Sequence, residues 1–263
     1  IQSDHHKIPL WNQKRRSISY RPLKIGDTAS LYTYLDWMLS ASSNASASMV
    51  IRELLLIRNF GRDYPVKEEE IKGFFRDTPK KALSDLLNNS LQSPLTRNGF
   101  DLEQFRQGGF FTWRGKQIVP GTSSRANARS LMQFLLKLEQ GKIVDYFSSR
   151  EIKRLLYMTQ RRIRYASSPA LGDAAVYFKS GSLYKCRPEP GFKCGKYRGN
   201  VRNMMNSVAI VEYPASSPRL HYMVVIMSNV LRKNSAVEHQ TLGTRLQRLL
   251  ESYHSSDVKS GSD

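Results

Sequence analysis

Two short polar segments of this sequence carry side chains that could do chemistry together. One is Lys-Ser-Gly at residues 179–181, directly after the β-rich run AAVYF, and the other is Ser42-Ser43-Asn44 within LSASSNASA. An ammonium group, a hydroxyl and a bare glycine backbone at a strand end could all face one ligand. A serine hydroxyl can relay a proton, and an asparagine amide both donates and accepts hydrogen bonds. The two segments are therefore candidates for a ligand-binding site with proton transfer.

Both segments also have an ordinary structural interpretation. Glycine and serine at a strand end are typical of a tight solvated turn. Serine and asparagine favour breaks between helices whether or not they have a function. A second Lys-Ser-Gly, at residues 259–261, lies in a polar tail with no strand before it, so the tripeptide alone carries little information.

Apolar periodicity predicts helices on both sides of the Ser42 segment. Residues 27–40 place Leu31, Tyr34, Leu35 and Met38 at helical spacing behind the capping candidates Asp27 and Thr28. Residues 47–57 are apolar on nearly every side, which predicts a buried helix. Further helices are predicted at 77–87, with Pro79 in the first turn, at 122–140 and at 237–253. Another helix is predicted to begin at Ser148 and Glu151, which have the spacing of a capping box.

Strand signals cluster late in the chain. Residues 174–180, 206–214 and 220–229 are rich in β-branched and aromatic residues, and the terminal helix follows them. This order predicts an α/β (α+β) class in which helices are segregated from an antiparallel sheet that the last helix covers. We expect one domain over residues 1–255, with a helical part at about 27–165 and the sheet and final helix at about 172–254. Residues 256–263 are predicted to be a disordered tail.

The charge balance of 41 Lys+Arg against 22 Asp+Glu, a net +19, attracts polyanions such as nucleic acid, anionic lipid or cell-envelope polymers. The basic residues are nevertheless scattered, with short clusters at 14–16 and 161–164, and no nucleic-acid-binding signature occurs among them. A solvated basic surface is at least as good an interpretation of these clusters. No window reaches the length of apolar sequence that a membrane span needs.

The two cysteines, Cys186 and Cys194, bracket RPEPGFK. A metal site would need two more ligands from elsewhere, so a short disulfide-closed loop is favoured, which would indicate an oxidising compartment. Two reduced cysteines in a cytosolic loop are the alternative. The chain begins without a Met and without the apolar core of a signal peptide, which suggests processing or a longer encoded protein.

Taken together, the two motifs resemble those of the penicillin-recognising serine hydrolases, the superfamily of serine β-lactamases and DD-peptidases. Ser-x-Asn stands between two helices, Lys-Ser-Gly stands on a strand, and two strands and a terminal helix follow in the same order. The flanks of Ser42 are similar to the class A branch. The resemblance covers the chain from about residue 27 to the end of the last helix, and it implies a β-lactamase/transpeptidase-like fold.

The resemblance also implies roles for the residues of the motifs. Ser42 would shuttle a proton between the leaving group and the general base. Asn44 would bind the substrate's amide side chain and orient a catalytic lysine. Lys179 would supply positive potential beside Ser42, so that Ser42, Asn44 and Lys179 converge in one electropositive cleft.

The other three implied roles belong to the residues after Lys179. Ser180 would hydrogen-bond the substrate carboxylate, and Gly181 would keep the strand edge accessible. The backbone N–H of Ser182 would be one donor to the oxyanion that develops during acyl transfer.

The sequence departs from the family pattern at two points. The family nucleophile lies in Ser-x-x-Lys well before Ser-x-Asn, but no Ser-x-x-Lys precedes Ser42 here, and we interpret the match at Ser182 to Lys185 as accidental. We therefore expect an upstream segment to carry the nucleophile. Residues 108–121, which match the loop that bears the deacylating glutamate in class A enzymes, contain no carboxylate; Asp101 and Glu103 lie earlier. This weakens a β-lactamase function relative to a peptidase or acyl-enzyme former.

The sequence thus predicts a periplasmic or otherwise extracytoplasmic serine acyl-enzyme hydrolase. Its substrate would be a β-lactam or a peptidoglycan peptide, and it would use no metal and no organic cofactor. A non-catalytic envelope-binding relative without the nucleophile is the alternative. A nucleic-acid binder rests on charge alone, and no specific nucleic acid is expected as a partner.

Overall fold

A computed structural model describes residues 7–12, 14–159 and 162–260 of the chain. Contacts between Cα atoms group the chain into two compact units, which we name unit 1 (residues 1–127) and unit 2 (residues 128–263). The prediction of a single domain over residues 1–255 stays a prediction.

Unit 1 combines a β-hairpin with helices. Its elements in chain order are β1 (Lys7–Asn12), β2 (Ser17–Pro22), α1 (Leu31–Leu39), α2 (Asn44–Phe60), α3 (Glu68–Asp77), α4 (Lys80–Arg97), β3 (Phe105–Arg106), α5 (Trp113–Ile118) and β4 (Arg125–Ala126). The predicted helices at 27–40, 47–57 and 77–87 correspond to α1, α2 and α4. The hairpin and α3 were not predicted, and no glycine marks the turn between β1 and β2.

The core of unit 1 consists of two clusters of buried side chains. The first joins the hairpin to α1 and the start of α2 through Ile8, Leu23, Tyr34, Trp37, Ala41 and Ala45. The second joins α2 and α4 to the segment around α5 through Ile51, Leu55, Leu83, Leu87, Phe110 and Val119. The break between α1 and α2 therefore lies against the first cluster, which includes Ala41 and Ala45.

Unit 2 contains the late sheet. Its elements are α6 (Ala128–Glu139), α7 (Tyr146–Tyr157), the 3-10 turn Arg164–Ser167, β5 (Ala175–Lys185), β6 (Arg202–Tyr213), β7 (Leu220–Asn229) and α8 (Ser235–Ser260). The strands form an antiparallel sheet in the order β5-β6-β7, so β5 lies at one edge. α8 contacts both β6 and β7. The predicted class, helices with a late antiparallel sheet and a covering terminal helix, is confirmed.

Several predicted boundaries need correction. α1 is capped by Ser30 rather than by Asp27 or Thr28, because the Ser30 side chain accepts from the Thr33 backbone N–H. α7 begins earlier than the capping box predicted, because the carboxylate of Asp145 accepts the backbone N–H of Ser148 at 2.6 Å. Pro79 is the residue that precedes α4 rather than part of its first turn.

Three segments also differ in length from the prediction. α6 begins at Ala128, later than residue 122. β5 does not end at Lys-Ser-Gly but continues to Lys185, because β6 pairs with it along its whole length. α8 continues to Ser260, beyond the helix end predicted at residue 253, since neither glycine nor proline interrupts residues 244–260. The disordered tail at 256–263 stays a prediction. Among the described residues, no helix is at once long enough and apolar enough to cross a membrane.

Candidate active site

The polar break between α1 and α2 is held by capping hydrogen bonds. The Oγ of Ser43, which caps α2, accepts the backbone N–H of Ser46 at 3.1 Å. The backbone N–H of Ser43 donates to the carbonyl of Trp37 at 3.1 Å. Ser43 thus has the ordinary structural role that serine often has at a helix start. Asn44, the first residue of α2, is half-buried.

Ser42 differs from its neighbours in its backbone conformation. Its φ is +56°, in the left-handed region that residues with a Cβ rarely adopt, and its side chain is half-buried. Such a conformation costs about 1–3 kcal/mol and persists only where the surroundings impose it. Ala41 and Ala45 on either side are almost fully buried in the core of unit 1 and fix the chain there. Strain at this serine supports a functional interpretation of the break.

The Lys-Ser-Gly motif lies where β5 passes from the core to solvent. Phe178 is fully buried, Lys179 and Ser180 are half-buried, and Gly181 is exposed. Because side chains alternate along a strand, Lys179 lies on one face of the sheet, and Ser180 lies on the other face together with Ser182. The Nζ of Lys179 donates to the carbonyl oxygen of Ser180 at 2.7 Å.

Gly181 has open space where a side chain would be. A Cβ built at this position would meet no atom within 4 Å. Packing inside the protein therefore does not require a glycine here. That Gly181 keeps the edge of β5 accessible to a ligand stays a prediction.

A buried arginine, Arg164, lies beside the motif. The residue is only 8% exposed, and its guanidinium donates to the Oγ of Ser180 and, at 3.1 Å, to the Oγ of Ser182. The guanidinium carbon lies 4.9 Å from the centre of the Tyr197 ring. A guanidinium with adjacent hydroxyls is suited to binding a carboxylate.

The 3-10 turn before β5 positions Arg164. Arg164 has a φ of +68°, and its carbonyl accepts the hydroxyl of Ser167 at 2.8 Å. The next residue, Tyr165, is fully buried in the core of unit 2. α8 can approach this turn closely because Gly243 has no side chain: a Cβ there would lie 3.0 Å from the carbonyl oxygen of Tyr165.

The segment just after the disulfide loop supplies the ring that lies against Arg164. Cys186 and Cys194 are bonded, with their Cα atoms 5.9 Å apart. Tyr197 follows Cys194 closely, and its carbonyl accepts the backbone N–H of Ser235 at the start of α8 at 3.0 Å. The disulfide and this hydrogen bond therefore restrain the ring that lies against the guanidinium.

His239 on α8 is buried between two strands of the sheet. Its Nδ1 is hydrogen-bonded to the hydroxyl of Ser207 at 2.9 Å and its Nε2 to that of Ser228 at 2.8 Å. Burial, and secondly the charge of Arg164, lower the pKa of His239 to about 4. The ring is therefore neutral at pH 7 and joins α8 to β6 and β7. With serines on both nitrogens, it has no carboxylate to orient it as in a Ser-His-Asp triad.

The predicted site residues are divided between the units. Ser42 and Asn44 belong to unit 1, whereas Lys179, Ser180, Gly181 and Ser182 follow one another in unit 2. The predicted convergence of Ser42 and Asn44 with Lys179 stays a prediction.

The basic cluster at 161–164 was interpreted as solvated surface, and this interpretation is wrong for Arg164. The turn that contains Arg164 packs against α8, and Arg164 is buried. No sequence signal separates Arg164 from the neighbouring arginines.

Comparisons with known proteins give a fold but no family. No protein-family model and no curated protein matches the sequence. The structure is similar to that of the TLA-3 extended-spectrum β-lactamase, with a TM-score of 0.52 and 12% identity over 95% of this chain and 75% of that one. A class A β-lactamase from Bacteroides cellulosilyticus aligns with a TM-score of 0.49 and 14% identity, over 86% of this chain and 65% of that one. At such identities the similarity shows the fold alone: it is β-lactamase-like.

Proposed function

We propose that this chain belongs to a serine hydrolase or acyl transferase that forms an acyl-enzyme with a peptidoglycan peptide or a β-lactam. The observation that supports the proposal most is Arg164 beside the hydroxyls of Ser180 and Ser182. Both substrates carry a carboxylate near the bond that is attacked. In the proposal, Ser180 and Arg164 bind this carboxylate at the edge of β5.

The remaining steps use the two motifs together. Lys179 raises the local potential for the anionic substrate, and the backbone N–H of Ser182 donates to the oxyanion as it forms. Asn44 binds the substrate amide. Ser42 carries the proton between the general base and the leaving group. The strained backbone of Ser42 is consistent with a side chain that is held in place for this transfer.

The nucleophile is not among the residues that we can assign. Residues 1–41 contain no Ser-x-x-Lys. Of the two matches later in the sequence, Ser182 to Lys185 begins within β5 and Ser256 to Lys259 lies near the end of α8, so neither serine stands at a helix start. In this proposal the attacking serine comes from a Ser-x-x-Lys segment outside residues 1–263. The disulfide supports an oxidising, extracytoplasmic location.

A non-catalytic envelope-binding protein is the second candidate. It is favoured by the absence of Ser-x-x-Lys before Ser42 and of a carboxylate in residues 108–121. Such a protein would keep the carboxylate-binding groups of β5 and would bind peptidoglycan peptides without forming a covalent bond.

A fluorescent penicillin tests the proposal on the full-length encoded protein. We expect covalent labelling, and we expect Gly181→Ala to slow it by about tenfold or more, because a methyl group would obstruct the ligand's approach to β5. The new methyl has open space within the protein, so the variant should fold normally. Gly195→Ala is the matched control, since a Cβ there meets its nearest atom at 3.9 Å in the disulfide region.

Three outcomes discriminate between the candidates. Labelling of the wild type that Gly181→Ala slows and Gly195→Ala leaves unchanged supports the acyl-enzyme proposal. Saturable but non-covalent binding of penicillin that the same variant weakens supports the envelope-binding candidate instead. Labelling at equal rates in both variants would show that the ligand does not approach along the edge of β5.

A further inference from the structure

The β1–β2 hairpin of unit 1 has one apolar face that does not pack against the core. In the antiparallel register Trp11 lies opposite Ile18, and Pro9 lies opposite Tyr20. Because side chains alternate along each strand, these four residues share one face of the hairpin. The other face includes Ile8, which is fully buried in the core of unit 1.

This face is exposed to solvent. Trp11 is 63% exposed, Ile18 57% and Tyr20 58%. The outer face of a sheet that only meets water is normally polar. A contiguous apolar surface that includes two large aromatic residues is typical of an interaction site.

The hairpin also carries a concentrated positive charge. Residues 14–16, which lead into β2, are Lys-Arg-Arg, and all three are exposed. Residues 7–24 contain no carboxylate and six cations: Lys7, Lys14, Arg15, Arg16, Arg21 and Lys24. The next carboxylate in the chain, Asp27, pairs with Arg21 at 2.7 Å.

We propose that this hairpin binds the surface of an anionic lipid bilayer. Tryptophan and tyrosine are the side chains that partition to the headgroup region, where an apolar ring and a polar edge are both accommodated. Lysine and arginine next to such an apolar face bind anionic headgroups through charge complementarity. Because the aliphatic side chains of Pro9 and Ile18 lie among the aromatic rings, a lipid surface fits this face better than a stack of bases. The proposal is independent of the acyl-enzyme function.

Co-sedimentation with vesicles tests the proposal on the full chain. At low salt we expect binding to vesicles of phosphatidylglycerol and phosphatidylcholine to exceed binding to pure phosphatidylcholine by about tenfold or more. Trp11→Ser should reduce the anionic-vesicle binding by about fivefold. Trp113→Ser is the matched control, since Trp113 is 67% exposed on α5, and it should leave binding unchanged. Because both tryptophans are exposed, neither change should prevent folding.

Other occupants of this face would give different results, and each would overturn the proposal. Equal binding to neutral and anionic vesicles, or no binding to either, would contradict a role for the cations. Trp11-dependent binding to single-stranded nucleic acid without vesicle binding would identify a nucleic-acid surface. A dimer in size-exclusion chromatography that Trp11→Ser dissociates would show that a second copy of the chain covers the face.

Discussion

We predict that His239 makes unit 2 less stable in mild acid and that His239→Gln largely removes this effect. The pKa of His239 is about 4 in the folded protein, compared with an ordinary value of 6.5. Between pH 4 and pH 6.5, the unfolded chain therefore binds a proton on this histidine, whereas the folded chain does not. Stability from the neutral ring is present above pH 6.5 and is lost as the pH falls toward 4.

The magnitude follows from the two pKa values. At pH 7 the histidine is mostly neutral in both states, whereas at pH 5 it is mostly protonated in the unfolded state and mostly neutral in the folded state. The free energy of unfolding should therefore fall by about 2 kcal/mol between pH 7 and pH 5 because of this one group. His239→Gln cannot titrate and should lose about 2 kcal/mol less than the wild type over the same interval.

Urea denaturation at the two pH values measures this difference. All three tryptophans lie in unit 1, so unfolding of unit 2 is followed by hydrogen exchange of α8 peptides rather than by tryptophan fluorescence. His254→Gln, an exposed position on the same helix, is the control and should behave as the wild type. If the wild type and His239→Gln lose equal stability between pH 7 and pH 5, the assignment of a buried neutral His239 is wrong.

Three other predictions concern strain, charge and the disulfide. Ser42→Gly should be more stable than Ser42→Ala by about 1 kcal/mol in thermal or urea unfolding, because glycine adopts a positive φ without steric cost. Equal stabilities of the two variants would mean that the backbone at residue 42 is unstrained. Lys153→Met should lower the free energy of unfolding by about 2 kcal/mol, because the Lys153 ammonium donates to the half-buried carboxylates of Glu139 and Glu212 at 2.7 Å each. Urea titration at pH 7 measures this loss, and an unchanged free energy of unfolding would refute the prediction. Replacing both cysteines by serine should cost about 2.5 kcal/mol for a loop of this length in guanidinium titrations. It should also slow penicillin labelling by loosening Tyr197, so an unchanged labelling rate would refute a role for the loop in holding the site.

The sequence by itself determined the elements whose patterns are strong and local. The three β-rich runs of unit 2 pair as antiparallel strands, and the terminal helix covers them. They were predictable because the composition and length of each run indicate a strand within the run itself. The buried helix α2 was predicted for the same reason. The order and spacing of the motifs also selected Ser42, Asn44 and Lys179 as candidate site residues, and their convergence stays a prediction.

Only the tertiary structure decided which polar groups are buried and what they contact. Arg164 and His239 look like ordinary charged and surface residues in the sequence. The packing of α8 against the sheet and the turn before β5 buries both, and burial is what lowers the pKa of His239. The hairpin escaped prediction because the apolar residues on its outer face obscure the alternation that normally marks a half-buried strand. These features depend on contacts between residues far apart in the chain, which periodicity and propensity do not encode.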